Sequence, residues 1–109
     1  MSDLITIDEF KKVEIRIGKI ISAEKLENAD KLLKLQVDFG EFQRQILSGI
    51  AEHYPPEELV GKQLPFIVNL EPRMMRGEES QGMLMAVDDE EKPVLLIPAQ
   101  DVKEGTEVV

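Results

Sequence analysis

The sequence predicts an all-β fold, a five-stranded barrel with short helices and a C-terminal β extension. The 109 residues are enough for one domain, expected to span residues 1–109, with the barrel at about 13–88 and the extension at about 92–109. Apolar residues recur at every second position in several short segments, which is typical of strands with one buried face. A segment with helix start and stop signals separates the third of these strands from the fourth.

The first elements are a short helix and a long strand. Thr6 is a suitable helix cap and two acids follow it, so we expect a helix here, with Phe10 as its anchor in the core. From residue 13 to about 25 the pattern changes to period two and predicts the first strand. Gly18 inside this strand indicates a bulge or bend of the kind that lets a small barrel turn a corner.

The second and third strands form a hairpin. Leu33, Leu35 and Val37 alternate with polar residues, and Gly40 supplies the tight turn that follows. Residues 42–48 alternate again and place Arg44 on the same side as Ile46 and Ser48. We weigh two roles for Arg44 equally, a solvated cross-strand partner of an acid and a functional residue.

A helical turn at residues 49–54, a short helix and two strands complete the barrel. Proline at the first helical position, two glutamates in the first turn and Gly61 after the end predict the helix. These glutamates fit the helix dipole better than acid–base catalysis. With strands at residues 63–70 and 83–87, the order is that of an OB-fold barrel, whose loops and one strand face commonly bind nucleic acid.

The C-terminal residues are more apolar than a five-stranded barrel needs. Residues 88–93 are predicted to form a solvated, acidic hairpin tip, and residues 94–98 are fully apolar. An exposed edge strand of that composition would invite association. The apolar run therefore either packs back onto the barrel or forms an interface between subunits.

The charge distribution disfavours general binding to RNA. The formal net charge is −9, whereas phosphate binding depends on basic surface and counterion release. Residues 1–9 contain three acids and no base, residues 88–109 contain seven acids and two bases, and the residues between contain twelve acids and eleven bases. A basic patch in that middle part would bind weakly at physiological salt and selectively.

Several classes of function are disfavoured by the residues that are present. The sequence has no cysteine and one histidine, His53, so neither a disulfide nor a zinc or haem site is expected, and we interpret His53 as a solvent-facing loop residue. It shows no nucleophile with a base and no phosphate-cradling glycine loop before a helix, so neither catalysis nor a cofactor is expected. No secretory signal is visible and no apolar run approaches the ~20 residues that span a membrane, so a cytoplasmic protein without a membrane partner is expected.

Residues 69–83 have the composition of a loop that faces an anion. Arg73 and Arg76 present guanidinium groups that match phosphate geometry, and Gly77 and Gly82 let the backbone approach a ligand. The other polar side chains in the stretch are short hydrogen-bonding groups. Four blocks of the sequence, this stretch included, stand in a fixed order: Val13-Glu14-Ile15-Arg16-Ile17-Gly18-Lys19-Ile20; Ala29-Asp30-Lys31-Leu32-Leu33-Lys34-Leu35; Ser48-Gly49-Ile50-Ala51; and Asn69-Leu70, Pro72-Arg73, Arg76-Gly77 with Ser80-Gln81-Gly82-Met83.

These blocks resemble the tRNA-binding domain that ends many methionyl-tRNA synthetases and also occurs as a free-standing tRNA-binding protein. The resemblance covers nearly the whole chain from Phe10 onward. It implies an OB-fold, tRNA as a partner, a homodimer formed with the C-terminal extension, and a link to a methionyl-tRNA synthetase catalytic region. The residues expected to contact RNA are Asn28, Lys31, Lys34, Arg44, Ser48, Asn69, Arg73, Arg76, Ser80, Gln81 and Met83.

The mode of recognition follows from the few aromatic residues. Only five are present, and Phe10, Phe39 and Phe66 are assigned to the core, so stacking on bases is poorly provided for. This favours recognition of a folded tRNA shape. Met74, where the family often has lysine, removes an expected charge. The alternative is a chaperone or peptide-binding protein on the same scaffold, favoured by the acidic surface and by methionines in the loop.

Overall fold

The computed structural model describes residues 2–109, and most of the regular structure is β-strand. The elements are α1 (Ile7–Phe10), β1 (Ile15–Leu26), β2 (Ala29–Asp38), β3 (Gln43–Ser48), α2 (Pro56–Leu59), β4 (Gln63–Ile67), β5 (Arg73–Met75), β6 (Glu78–Ser80), β7 (Met83–Leu84), β8 (Ala86–Asp89) and β9 (Lys92–Leu95). Five strands form an antiparallel sheet in the order β3-β2-β1-β4-β7. Its edge strands β3 and β7 are in contact, so the sheet closes into the predicted barrel, the architecture of an OB-fold.

One apolar cluster fills the barrel. Leu33, Leu35 and Val37 are fully buried on β2, because alternate residues of a strand face the same side. Phe39 and Phe66 are also buried, and their rings meet edge to face with centroids 5.6 Å apart. The predicted core positions of the second strand and of these two aromatic residues are confirmed.

Gly18 serves close packing and not the predicted bulge. The pairing of β1 with β4 runs through Gly18 in regular register, whereas the pairing of β1 with β2 shifts between Ile20 and Ser22. A Cβ at Gly18 would come within 3.0 Å of side-chain atoms of Val37 and Phe39. The absent side chain therefore makes room for the core, and the irregularity lies a few residues further along the strand.

The N-terminal helix lies outside the core. Thr6 caps it as predicted: its hydroxyl accepts the Glu9 N–H (3.1 Å), and the Glu9 carboxylate accepts the Thr6 N–H (3.1 Å). The four-residue helix buries no side chain, and Phe10 is 47% exposed. The prediction that Phe10 anchors the helix in the core was wrong, because the helix lies against the outside of the barrel.

The segment between β3 and β4 follows the prediction. Tyr54 donates its N–H to the Ile50 carbonyl oxygen (3.1 Å), which closes one helical turn. α2 begins at Pro56, and Gly61, with φ of 91°, follows its end. His53 is exposed in the turn before α2.

Two strands are shorter than the sequence predicts. β4 ends at Ile67 and not at residue 70. The Val68 N–H still donates to the opposite Glu14 carbonyl oxygen (3.0 Å), but the Glu14 N–H donates to the Asn69 side-chain oxygen (2.8 Å), so the ladder goes no further. The predicted strand at residues 83–87 divides at Met85 into β7, in the barrel, and β8, which pairs with β9 in a separate hairpin. The turn of that hairpin contains Glu90 and Glu91, both at positive φ, so the acidic hairpin tip is confirmed.

The C-terminal residues pack back onto β1. Gly105 donates its N–H to the Ile17 carbonyl oxygen (2.7 Å), and Ile17 donates its N–H to the Thr106 carbonyl oxygen (2.9 Å). Val108 donates to the Ile15 carbonyl oxygen (2.9 Å), so residues 105–108 lie as an extra strand beside the first half of β1. The backbone of β1 is thereby hydrogen-bonded on both sides.

Arg16 secures this contact from the side of β1. It donates to the Gly105 carbonyl oxygen (2.7 Å) and forms ion pairs with Glu14 (2.5 Å) and Glu107 (3.7 Å). The hydrogen bond to Glu14 raises the pKa of Arg16. Arg16 is therefore occupied within the fold.

Candidate nucleic-acid interface

The stretch at residues 69–83, predicted to be a loop, contains a β-hairpin. β5 and β6 pair antiparallel, with Arg73 opposite Ser80 and Met75 opposite Glu78. Arg76 and Gly77 form the turn with φ of 52° and 82°, the two left-handed residues of a type I′ hairpin turn. This turn places Arg76 at the tip of the hairpin and Arg73 at its base.

Two of the predicted RNA contacts join the hairpin to the barrel. Ser80 is buried; its hydroxyl accepts the Leu47 N–H (3.0 Å) and donates to the Gly82 carbonyl oxygen (3.0 Å). The Gln81 side-chain oxygen accepts the Gln45 N–H (3.0 Å). Side-chain oxygens thus accept the Gln45 and Leu47 N–H groups at the edge of β3, in place of the carbonyl oxygens of a neighbouring strand.

Arg44 also has an internal position. One guanidinium nitrogen donates to the carbonyl oxygens of Val68 (3.2 Å) and Gln81 (3.1 Å), and the guanidinium carbon lies 4.8 Å from the centroid of the Phe42 ring. The partners of Arg44 are carbonyl oxygens, so of the two roles weighed for Arg44 the pairing with an acid is wrong. Arg44 thus connects both ends of the segment 68–81 to β3.

The amide of Asn69 fixes the start of β1. Its side-chain oxygen accepts the Glu14 N–H (2.8 Å), and its nitrogen donates to the Lys12 carbonyl oxygen (2.6 Å). Both functional groups of this predicted contact are therefore paired with backbone.

Six of the remaining predicted residues line two clefts beside the hairpin. The first, here called the base groove, contains Ser48, Arg73 and Met83, with Leu70 and Leu84 as apolar walls. The second, here called the tip cleft, lies between Arg76 and residues 28–32, which include Asn28 and Lys31.

The two arginines of the hairpin differ from the other two arginines of the chain. Within residues 2–109 neither Arg73 nor Arg76 makes a side-chain hydrogen bond or an ion pair, whereas Arg16 and Arg44 are both occupied. Arg73 and Arg76 are exposed. The hairpin thus presents two planar donor groups to solvent at opposite ends of a short ladder, which is suited to two phosphates.

Lys34, another predicted contact, lies between two carboxylates. Its ammonium nitrogen is 3.1 Å from a carboxylate oxygen of Glu24 on β1 and 3.1 Å from one of Glu78 on β6. Hydrogen bonds to Glu24 and then Glu78 raise the pKa of Lys34. Sequence analysis missed these two acids. The signal for Glu24 was its cross-strand position opposite Lys34, whereas no alternation marks Glu78 as a strand residue.

Replacing Ser80 by alanine is expected to lower the free energy of unfolding by about 1–3 kcal/mol, because the Leu47 N–H would lose its acceptor in a buried place. Ser48→Ala, at a half-buried serine that lines the base groove, is the matched control and should change stability by less than about 0.5 kcal/mol. Urea denaturation of both variants makes the measurement. Equal stabilities would show that the Ser80 hydrogen bonds do not hold the hairpin.

No cluster of three or more potential metal ligands occurs in the part of the chain that the structure describes. Over those same residues no helix is long and apolar enough to cross a membrane.

Comparison with known proteins shows which family this chain matches. Residues 15–107 match the model of the family described as "Putative tRNA binding domain". The methionine–tRNA ligase of Caldanaerobacter subterraneus is 46% identical over 106 residues, which are 97% of this chain and 17% of that protein. The chain therefore spans about a sixth of the length of the curated relatives that it matches.

Solved structures share the whole fold. A methionyl-tRNA synthetase-related protein from Pyrococcus horikoshii superposes with a TM-score of 0.94 at 43% identity, covering 99% of this chain and all of that one. The chaperone CsaA from Bacillus anthracis superposes with a TM-score of 0.89 at 28% identity, covering 98% of this chain and all of that one. The tRNA-related proteins are thus nearer in sequence than this chaperone.

Proposed function

This chain belongs to the tRNA-binding domain family, and we propose that it binds folded tRNA through the hairpin that carries Arg73 and Arg76. The members of this family are binding domains, so the chain contributes binding and not catalysis. The observation that carries the site is the exposure of these two arginines, while Arg16 and Arg44 are occupied inside the fold. Ser48 and Met83 in the base groove and Asn28 and Lys31 in the tip cleft complete the proposed contact surface.

The chemistry of this surface favours recognition of shape over recognition of single-stranded sequence. Phe39 and Phe66 are buried, Phe42 stacks on Phe39 and lies against the Arg44 guanidinium, and the Tyr54 hydroxyl donates to the Pro93 carbonyl oxygen. Phe10 is exposed, but it belongs to α1 and lines neither cleft. The hairpin instead offers arginine forks for phosphates and small polar groups for ribose hydroxyls. An RNA that is folded holds its phosphates at fixed separations, which two arginines on a rigid hairpin can match.

A competition experiment tests this proposal. Labelled folded tRNA is bound at low salt and challenged with unlabelled tRNA or with the same RNA whose fold has been abolished by base changes. We expect folded tRNA to displace the label at lower concentration. No binding of the labelled tRNA at low salt would overturn the proposal.

The tRNA-bound chain is proposed to be a homodimer. The support is apolar surface that the barrel leaves exposed: Ile97 is 59% exposed and Leu96 40%, and both line an apolar groove with Ile17, Pro65 and Val108. Exposed apolar area of this kind is typical of subunit interfaces. A second copy would bring a second arginine hairpin to the same tRNA or to a second one.

Replacing Ile97 by glutamate is expected to shift the chain toward monomer, because a carboxylate in the apolar groove would have to lose its hydration on association. Sedimentation equilibrium at micromolar concentration measures the effect. Val60→Glu is the matched control, since Val60 is 51% exposed after α2 and takes no part in the groove. A wild-type chain that sediments as a monomer would refute the homodimer.

The resemblance to parts of methionine–tRNA ligases supports a role in delivery. A tRNA-binding module joined to, or bound beside, a synthetase catalytic region raises the effective concentration of tRNA there and needs only modest affinity. We propose accordingly that the protein acts in the cytoplasm, beside the synthetase that it would serve.

The second candidate function is binding of unfolded polypeptide. Its support is the exposure of Met74 (65%) and Met83 (48%) on and beside the hairpin, together with the similarity to a chaperone of the same fold. If the chain binds an unfolded polypeptide and does not bind tRNA, this candidate is favoured. Displacement of bound tRNA by that polypeptide would show that both use one surface.

A further inference from the structure

The cluster formed by Lys34, Glu24 and Glu78, here called the Lys34 ion-pair cluster, lies beside the arginine hairpin. Lys34 sits opposite Glu24 in the β1–β2 ladder, and its side chain is 27% exposed. Glu78 belongs to β6 and follows the Arg76-Gly77 turn directly. The ammonium group therefore lies beside the proposed contact surface, against the hairpin strand β6, and two carboxylates hold it at 3.1 Å each.

Two kinds of cation thus occur on one surface. Arg73 and Arg76 are exposed and have no side-chain partner within residues 2–109, whereas Lys34 has two. An exposed lysine attracts any phosphate, while a lysine with two acidic partners attracts phosphate only after an ion pair opens or is shared. The two acids also add negative charge, which repels an RNA backbone whose phosphates do not lie against the two arginines.

We propose that the Lys34 ion-pair cluster is a selectivity device of the RNA site: Glu24 and Glu78 keep Lys34 from unstructured RNA, so that affinity depends on the two arginines and on the shape of a folded RNA. This inference rests on the proposed function and names the part of the site that rejects other RNA. Affinity for unstructured RNA grows with the number of cations that can reach phosphates. The two carboxylates neutralise the charge of Lys34, so they lower that number.

The acids act through Lys34 and not merely by their charge. Glu78 contacts Lys34, whereas its neighbour Glu79 is exposed on the opposite face of the same strand and forms no ion pair within the described residues. Replacing either acid by glutamine removes one negative charge from the same hairpin. Only Glu78→Gln also removes one of the two ion pairs of Lys34, so the difference between the two variants isolates the Lys34–Glu78 pair.

The experiment measures affinity and salt dependence with two probes, a folded tRNA transcript and an oligo(U) of the same length. We expect Glu78→Gln to bind oligo(U) about fivefold tighter than Glu79→Gln does at low salt. The salt dependence of log affinity should steepen by up to about 0.7, because Lys34, left with Glu24 as its one acidic partner, is more available to phosphate. Affinity for the folded tRNA should rise by about twofold at most, so the preference for tRNA falls. In a Lys34→Ala background the two glutamine variants should be equal.

Each other outcome overturns the inference. Equal oligo(U) affinities for Glu78→Gln and Glu79→Gln, with wild type still binding tRNA, would show that the cluster plays no part in selectivity while the proposed function stands. Weaker tRNA binding by Glu78→Gln would assign the cluster to holding the hairpin in place. Wild-type protein that binds neither probe at low salt would remove the proposed function, and this inference with it.

Discussion

Replacing Arg73 and Arg76 together by alanine is expected to weaken tRNA binding by about 100-fold at low salt. The slope of log affinity against log salt should also fall in magnitude by about two, because each lost phosphate contact removes about one unit. The fold should be unaffected, since the two guanidinium groups make no side-chain hydrogen bond or ion pair within residues 2–109. Filter binding or fluorescence anisotropy over a series of salt concentrations gives both quantities.

The matched control is Lys92→Ala with Lys103→Ala. It removes the same two positive charges from exposed positions far along the chain from the hairpin. Long-range attraction would fall equally in both double variants, so the control should lose only a few-fold in affinity and keep most of its salt slope. If the two double variants behave alike, the hairpin is not the contact surface and the −9 charge of the chain dominates its encounter with RNA.

Replacing Gly105 by alanine is expected to lower the free energy of unfolding by about 3 kcal/mol, from a left-handed backbone and a steric clash together. Gly105 has φ of 89°, and a Cβ there would come within 3.0 Å of the Phe39 carbonyl oxygen, which is backbone and cannot turn away. Relief of the clash would pull residues 105–108 from β1 and break the hydrogen bonds that hold them. Urea or thermal unfolding followed by circular dichroism measures the loss.

Gly61→Ala separates the two causes. Gly61 has nearly the same φ, 91°, but a Cβ there would have no heavy atom within 4 Å. This variant should lose only the conformational cost, about 1 kcal/mol. Equal losses for the two variants would mean that the contact of the C-terminal residues with β1 adds nothing to stability.

Much of the barrel could be predicted from local pattern. Leu33, Leu35 and Val37 alternate with polar residues because one face of β2 fills the core, and the turn at Gly40 is fixed by its positive φ of 89°. The hairpin at residues 73–80 was missed because Met74 and Met75 do not alternate and because a non-glycine residue, Arg76, takes a left-handed conformation. The prediction for Phe10 failed because a single apolar residue in a four-residue helix does not show whether that helix packs against the core.

The candidate site was predictable in part. Composition indicated Arg73 and Arg76 as donors that face an anion, and the structure places both on one hairpin. It did not indicate that Ser80 pairs with Leu47, 33 positions away, or that Asn69 pairs with the backbone near residue 12. A polar side chain in a loop looks the same in sequence whether its partner is a ligand or a distant part of the backbone, so these pairings emerge only from the three-dimensional structure.

The contact between residues 105–108 and β1 also bears on how fast the chain folds. The hydrogen bond from Arg16 to Gly105 joins positions 89 apart, so it forms only after a long loop has closed. Small proteins dominated by such distant pairings fold in roughly milliseconds to seconds, slower than helical proteins of the same size. Until then one side of the first half of β1 stays open, and this unpaired edge is where an intermediate would be prone to aggregate.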